Sequence, residues 1–423
     1  MKRFLILLLL IGYVSYAQVE YAGANAISNA PLFYIDAADY LSKVPNKTRL
    51  DVFIEVPYAS IQFIKKGDVF QAGYSVTLTF YDKEKKGILF ERIWKETIKE
   101  SEFTRTLSRT NYNISYRSFD LNPGSYLVRC ILEDSDSRRA SSKEFPVRVD
   151  VIKDTLGFSD IMLITEIIKE ESGERILPNI SKIVTNKNSS LPFYFDIYSN
   201  KDRQIYIEFS LENLKSRKAI KQLSPQTIKA GTNTVYYTME NLDFKLGDYS
   251  LSALIKDGEW KEIGRVEKIF NSKIYGLPNT ILDLNKAIEQ MIYIASVEEM
   301  SYLKESELYE DKLNRFIAFW ENKKPNKNLE ENPILYEYYR RIDYATKNFK
   351  GLGEGWKTDM GMIYVTFGPP NHVDRHPFDS NSVPYEIWEY YDLNRSFIFA
   401  DQTGFGDYRL VNPDYSRWPG YRP

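Results

Sequence analysis

The chain has 423 residues, 56 basic and 58 acidic, with one cysteine and an unusual load of 32 Tyr and 24 Phe. That length accommodates about two to four domains at roughly 100–200 residues each. Near-balanced charge with no long basic run argues against nucleic acid as a partner, because phosphate backbones need concentrated Lys and Arg. A lone cysteine, Cys130, rules out an internal disulfide, so stability must come from large apolar cores.

Residues 1–17, MKRFLILLLLIGYVSYA, have the layout of a cleaved secretory signal. Lys2 and Arg3 give a positive start, Phe4 to Ile11 an apolar run, and Ser15-Tyr16-Ala17 a small-x-small ending. The apolar run is too short to span a bilayer. The mature chain would begin near Gln18, carry a net charge of −4 once Lys2 and Arg3 are lost, and work outside the cytoplasm. No cysteine near the cleavage point suggests a lipid anchor, and no later stretch approaches the roughly 20 apolar residues of a membrane helix. Any membrane contact would therefore run through a partner.

From about residue 30 to residue 272 the pattern is that of strands. RLDVFIEVPY (49–58), YSVTLTFYD (74–82), ILFERIWKE (88–96), FYFDIYSN (193–200), QIYIEFSLEN (204–213) and TNTVYYTMENL (232–242) mix or alternate β-branched and aromatic residues. FDLNPGSYLVRCILED (119–134) aligns without a gap with LDFKLGDYSLSALIKD (242–257), 123 residues later. Asp120, Gly124, Tyr126 and Asp134 match Asp243, Gly247, Tyr249 and Asp257. Val128, Cys130 and Leu132 pair with Leu251, Ala253 and Ile255, on alternating positions that point to a core. In this pattern Cys130 serves as a small buried apolar residue. The Leu-x-Pro-Gly-x-Tyr form at 121–126 has the look of a tyrosine corner, in which the phenol folds back to a backbone group. The expectation is two tandem immunoglobulin- or fibronectin-like β-sandwiches, 30–150 and 151–272.

After Gly276-Leu277-Pro278 the period becomes helical. Ile281, Leu284, Ile288, Met291 and Ala295 recur on one face, as do Leu313, Phe316, Ile317 and Trp320. A third helix should start with Asn332 as cap and Pro333 in its first turn, bury Leu335, Tyr339, Ile342 and Phe349, and end at Gly351. This helical segment covers 276–350. Between 351 and 411 strands return: MIYVTFG (362–368), stopped by Pro369-Pro370, then YEIWEYYD (385–392), RSFIFAD (395–401) and GDYRLV (406–411). Leu393-Asn394 suggests a two-residue hairpin junction, and the three helices should back a small antiparallel sheet.

Gly355-Trp356-Lys357-Thr358-Asp359, Gly361-x-Ile363-Tyr364 and Phe367-Gly368-Pro369-Pro370 resemble the GWxTD domain of exported bacterial proteins. The similarity continues through Arg375-His376-Pro377-Phe378 and Pro384-Tyr385-Glu386-Ile387-Trp388. It reaches back to Phe319-Trp320 and Tyr339-Arg340-Arg341-Ile342, covering about 280–423. Where family members often carry Arg-Asp-Pro after the Phe-Trp helix, this chain has Lys323-Lys324-Pro325, so a structural salt link is expected to be missing there. The resemblance implies no established activity. An exported protein of this size and character also resembles the periplasmic plug of the type IX secretion translocon.

Three chemistries compete for the C-terminal region. His372, Asp374 and His376, with Asp379 or Glu386 nearby, offer a zinc-like ligand set, since alternate residues of an extended stretch share a side. An Asp359/Glu386 pair would serve glycoside cleavage if it flanked a groove at about 5–10 Å. Neither a Gly-x-Ser-x-Gly elbow nor a suitably placed Cys130 supports nucleophilic hydrolysis. In the non-catalytic reading, Thr358 and Asp359 bond nearby amides and fix the entry to a strand, Trp356 anchors the turn, and Gly355 and Gly361 supply backbone freedom. Trp356, Thr358, Asp359, His376, Glu386 and Trp388 are then the candidate binding residues, expected as a surface cluster. The tail NPDYSRWPGYRP (412–423) adds Arg417 and Trp418, residue types enriched at interface hot spots. The sequence thus predicts a non-catalytic periplasmic protein that needs no cofactor and binds an outer-membrane or translocon protein. A carbohydrate-binding or carbohydrate-cleaving envelope protein is the alternative, and a metal-dependent hydrolase the third.

Overall fold

In the first β-rich unit, alternating apolar positions build strands β1 (Tyr34–Leu41), β2 (Thr48–Pro57), β3 (Ile64–Lys66), β4 (Val69–Asp82), β5 (Ile88–Glu100), β6 (Tyr112–Leu121), β7 (Gly124–Asp134) and β8 (Ala140–Val149). The computed structural model describes residues 30–108, 111–170, 173–278, 280–327, 332–351, 353–377 and 382–411. The signal-like segment 1–17 and the tail with Arg417 and Trp418 lie outside the described residues. One sheet runs β1-β2-β6; the other runs β5-β4-β7-β8, with β3 folded onto the start of β4. Leu50, Val52 and Ile54 from the first meet Val76, Leu78, Phe80, Val128, Cys130 and Leu132 from the second in one apolar cluster. Cys130 is fully buried there, and burial pushes its thiol up to about 12, so it stays protonated and apolar.

The second unit repeats that order. Its strands are β9 (Leu156–Phe158), β10 (Met162–Glu170), β11 (Gly173–Pro178), β12 (Ile183–Thr185), β13 (Leu191–Ser199), β14 (Arg203–Asn213), β15 (Ala219–Ile228), β16 (Gly231–Met239), β17 (Gly247–Lys256) and β18 (Glu262–Lys273). β10-β13-β16 corresponds to β1-β2-β6, and β15-β14-β17-β18 to β5-β4-β7-β8. The repeated residues do the same local work in both units. Tyr126 Oη donates to the Asn122 carbonyl at 2.7 Å. Tyr249 Oη instead accepts from the Lys245 amide at 2.9 Å, so the phenol reaches four residues back in both, with opposite polarity. Asp134 accepts the Asp136 amide and Asp257 the Glu259 amide, each closing the following hairpin with an Asx turn.

The outer face of β1 and β2 is not left to water. Ala38, Tyr40 and Phe53 pack against Met162 and Tyr194 of the second unit. Asp36 is buried between Lys268, at 2.6 Å, and Lys182, at 3.4 Å. The Asp39 amide donates to Asp160 Oδ2 at 3.0 Å, and the Asp39 carboxylate accepts from the Asp150 amide at 2.8 Å. Taking the Asp39 and Asp160 carboxyls out of water favours their neutral forms. Burial raises Asp39 to about 7 against the Asp150 amide, and raises Glu55 to about 7 against a bond from the Ser181 backbone.

The C-terminal part holds helices α1 (Leu284–Glu289), α2 (Val297–Glu305), α3 (Tyr309–Asn322), α4 (Pro333–Asn348) and α5 (Asp359–Phe367), and strands β19 (His372–His376), β20 (Tyr385–Tyr390), β21 (Arg395–Asp401) and β22 (Tyr408–Leu410). The strands form one antiparallel sheet in sequence order. Asn332 caps α4 as its sequence predicts, accepting from the Ile334 and Leu335 amides, but the helix stops at Asn348, before Gly351. The stripes of α1, α3 and α4 share one core with Trp356. Among the described residues no helix is long and apolar enough to cross a membrane.

Several expectations need correction. MIYVTFG is not a strand: residues 362–367 are the end of α5. Nearly every side chain from Met360 to Val365 is buried, so no polar face marks the 3.6 period and the run looks like β. The sheet instead begins with HVDRH, β19. The β20–β21 link is longer than two residues, a 3-10 turn at Tyr391–Leu393 followed by Asn394 at φ 48°. At Lys323-Lys324-Pro325 the structure shows an i,i+3 pair, Lys324 Nζ 3.6 Å from Glu321, which is a different contact from the Arg-Asp link that the resemblance implies.

The buried Glu55 generates a pH test. Its folded pKa lies above its unfolded value, so its contribution is fully present below about 4.5 and is lost as pH rises through about 7. Glu55→Gln should remove a loss on the order of 2 kcal/mol over that window, seen as a flatter plot of thermal midpoint against pH. Parallel plots for the two proteins would contradict this assignment.

Candidate binding site around the Gly-Trp-Lys-Thr-Asp turn

The turn between α4 and α5 is built on backbone-to-backbone contact. A Cβ on Gly355 would lie 2.2 Å from the Ala345 carbonyl and 2.4 Å from that of Phe349, so only glycine lets the turn sit on the end of α4. A Cβ on Gly361 would meet the Gly355 carbonyl at 2.1 Å, which presses the first turn of α5 against the same segment. Thr358 is the N-cap of α5: its Oγ1 accepts from the Gly361 amide at 3.0 Å and donates to the Gly355 carbonyl at 2.7 Å. Asp359 follows in the first turn, where a carboxylate complements the helix dipole. Its Oδ2 accepts from the Leu410 amide at 2.8 Å, tying α5 to β22.

Trp356 is the anchor. Its ring is 0% exposed, and its Nε1 donates to Glu354 Oε2 at 3.0 Å. The Tyr293 hydroxyl donates to its carbonyl at 3.1 Å, with the two rings edge to face. Around it, Lys286 bonds Glu354, and Lys357 reaches Glu289 at 2.7 Å. The Lys286 ammonium, with the Trp356 indole and Lys357, holds the Glu354 carboxyl below its usual range. At the far end of α5, Gly368 takes φ 85° and Arg341 caps the Val365 and Thr366 carbonyls at 3.2 Å. Arg341 is itself held by Glu337 at 2.8 Å. Tyr390 donates to the Gly368 carbonyl at 2.8 Å, which locks this end of the helix to β20.

These contacts relocate the sequence candidates. Trp356, Thr358 and Trp388 are buried and do not form a surface cluster. Trp388 lies between Phe349, Tyr364 and Phe399, with its Nε1 donating to Glu386 Oε2 at 3.0 Å. Glu386 also pairs with Arg375 across the β19–β20 register at 3.1 Å. Asp359 and Glu386 therefore each serve local bonds on different elements. Thr358 and Asp359 fix the entry to a helix, not to a strand. His376 stacks on Tyr385 at 4.4 Å and its Nε2 lies 3.0 Å from Asp374, while His372 stands opposite Glu389 in the register. Among the described residues no group of three or more His, Cys, Asp or Glu gathers to hold a metal, and Asp379 lies outside them.

Sequence reasoning missed the polar joint of Asp36, Asp39, Glu55 and Asp160. The only signal was the pair of acidic residues, Asp36 and Asp39, at buried positions of YIDAADYL. A second feature it missed is an open groove of about 390 Å³ lined by Tyr293, Ile294, Ile334, Tyr338, Arg341 and Val365.

Residues 270–414 match the GWxTD domain, starting within β18 and ending just past β22. No curated protein matches the chain. Among solved structures, red sea bream transglutaminase is similar at 9% identity and a TM-score of 0.18, over 57% of this chain and 31% of that one. Bacteroides uniformis beta-glucuronidase 2, covalently bound to cyclophellitol-6-carboxylate aziridine, is similar at 7% identity and a TM-score of 0.20, over 52% and 26%. The Pseudomonas fluorescens alkylpurine DNA glycosylase AlkC, bound to DNA with an abasic site analog, is similar at 10% identity and a TM-score of 0.17, over 22% and 27%. The chain spans about a third or less of each of these proteins, and scores this low do not establish a shared fold.

A cap and a close glycine contact should fail by different amounts. Thr358→Ala removes the cap and should cost about 1–2 kcal/mol, with Thr358→Ser close to wild type. Gly361→Ala has no space for its methyl and should cost several times more, on the order of 4 kcal/mol. Denaturant unfolding, with hydrogen exchange read over residues 280–411, checks both. Equal stability of the Gly361→Ala protein would refute the close-contact account.

Proposed function

We propose that this chain, whose residues 270–414 match the GWxTD domain, is a non-catalytic periplasmic protein that binds another protein at the outer membrane. Its specific service in this reading is to plug or assist a type IX secretion translocon. The observation that supports protein binding is strand β5. It is thirteen residues long and pairs, among the described residues, only with β4. Ile88, Leu89 and Ile93 on it are 61%, 52% and 64% exposed. Folded proteins usually keep such edges short or blunted, because unpaired amides and carbonyls invite another strand. A long edge beside exposed apolar side chains suits β-strand addition by a partner, with backbone bonds giving affinity and side chains giving choice. Glu91, Arg92 and Lys95 interrupt the apolar run and oppose indiscriminate pairing. The equivalent strand β15 repeats the edge position, with Ile220 and Leu223 exposed.

A photocrosslinking residue at position 93 of the tagged full-length protein, activated in its native envelope, tests the reading. The expected product is one dominant adduct with an outer-membrane protein, reduced about tenfold when Leu89→Lys is added. No adduct, with the protein recovered alone as a monomer, would remove the support that β5 gives.

A further inference from the structure

Trp260 is a large aromatic held in a backbone conformation that its side chain disfavours. It sits in the β17–β18 hairpin at φ 64°, in the left-handed region, with 53% of its surface exposed. That conformation is disfavoured for a bulky L-residue, and glycine or asparagine takes it more readily. The turn does not need the indole. Asp257 Oδ1 accepts from the Glu259 and Lys261 amides, both at 3.0 Å, and the Trp260 amide donates to the Asp257 carbonyl at 3.0 Å. In the matching turn of the first unit the left-handed residue is Arg138, at φ 58°. The aromatic is therefore particular to the second unit.

Its ring has a defined seat. Trp260 lies flat on Tyr206, with centroids 4.6 Å apart and planes 11° from parallel. Tyr206 stands on β14 between the buried Ile205 and Ile207, so it projects from the face of the sheet opposite the core. Pro225 is opposite Tyr206 in the register, and the half-exposed Leu223 is opposite Glu208. A row of charged groups borders the rings: Lys256 Nζ is 5.6 Å from the indole centroid and 3.1 Å from Glu208, whose other oxygen meets Lys221 at 2.7 Å. The two lysines hold the Glu208 carboxyl below its usual range.

We propose that Trp260 and Tyr206 form a stacking platform for a sugar ring, making the second β unit a glycan-binding module. A pyranose presents a C–H face that packs on an aromatic plane and equatorial hydroxyls that reach sideways to donors and acceptors. The flat rings meet the first need, and the Lys256, Glu208 and Lys221 row meets the second. The Lys256 ammonium beside the indole disfavours a cationic guest, the other natural occupant of an aromatic face. The site is separate from the β5 edge and from the Asp359/Glu386 pair considered for glycoside cleavage, and it uses neither of the buried indoles Trp356 and Trp388.

Calorimetric titration of the full-length protein with cellotetraose, chitotetraose and mannotetraose tests the proposal, with phosphatidylglycerol vesicles as the comparison. Saturable binding of at least one sugar is expected, weakened about tenfold or more by Trp260→Ala and largely kept by Trp260→Tyr. Trp260→Gly relieves the left-handed strain, so it should melt no lower than wild type while losing the sugar; this separates lost binding from lost folding. Absence of binding to all three sugars, or binding unchanged in Trp260→Ala, overturns the proposal. Binding to vesicles alone, sensitive to Trp260, would do so as well and would mark the platform as a lipid contact.

Discussion

Everything in the C-terminal part hangs on the place where the Gly355 carbonyl occupies the space that a Cβ on Gly361 would need. With that contact in place, the Thr358 hydroxyl can bridge the same carbonyl and the Gly361 amide, and α5 starts at one fixed point. The start of α5 then sets the position of Asp359 against β22, and its end, capped by Arg341, sets Gly368 against Tyr390. The Gly-Trp-Lys-Thr-Asp motif thus works as a clamp joining helices to sheet. Its residue types are those of catalysis because a cap, a dipole partner and a buried indole draw on the same side chains.

A different solution joins the first two units. Each has its own apolar core, yet the contact between them mixes Tyr40, Phe53, Met162 and Tyr194 with the buried acids Asp36 and Asp39. Apolar contact alone tolerates sliding, whereas a carboxylate between Lys268 and Lys182 is satisfied in one arrangement. The two repeats are held at a set angle by groups that are expensive to leave unpaired.

How much of this was legible in the sequence depended on whether periodicity survived burial. The 123-residue repeat revealed itself because Tyr126 and Tyr249, and Asp134 and Asp257, each make local bonds within four residues, and local chemistry leaves local spacing. Asn332 and Pro333 announced α4 for the same reason. α5 was hidden, since a helix buried on all sides has no polar stripe. Trp356 and Trp388 were legible as important but not as interior, because an indole suits a core and a binding surface equally well. Trp260 gave no warning at all: its seat on Tyr206 depends on a strand more than fifty residues earlier.

The bond from the Leu410 amide to Asp359 spans 51 residues and joins a helix start to the last strand of the sheet. During synthesis α5 can form and be capped while that carboxylate still waits for its donor. The Asp359 clamp is thus completed only once β22 has emerged. A polypeptide released a few residues short of Tyr408 would keep its two β units and its helices while leaving the Asp359 carboxylate without the Leu410 amide and β21 with an open edge. The missing β22 would give a quality-control system a simple structural mark to read.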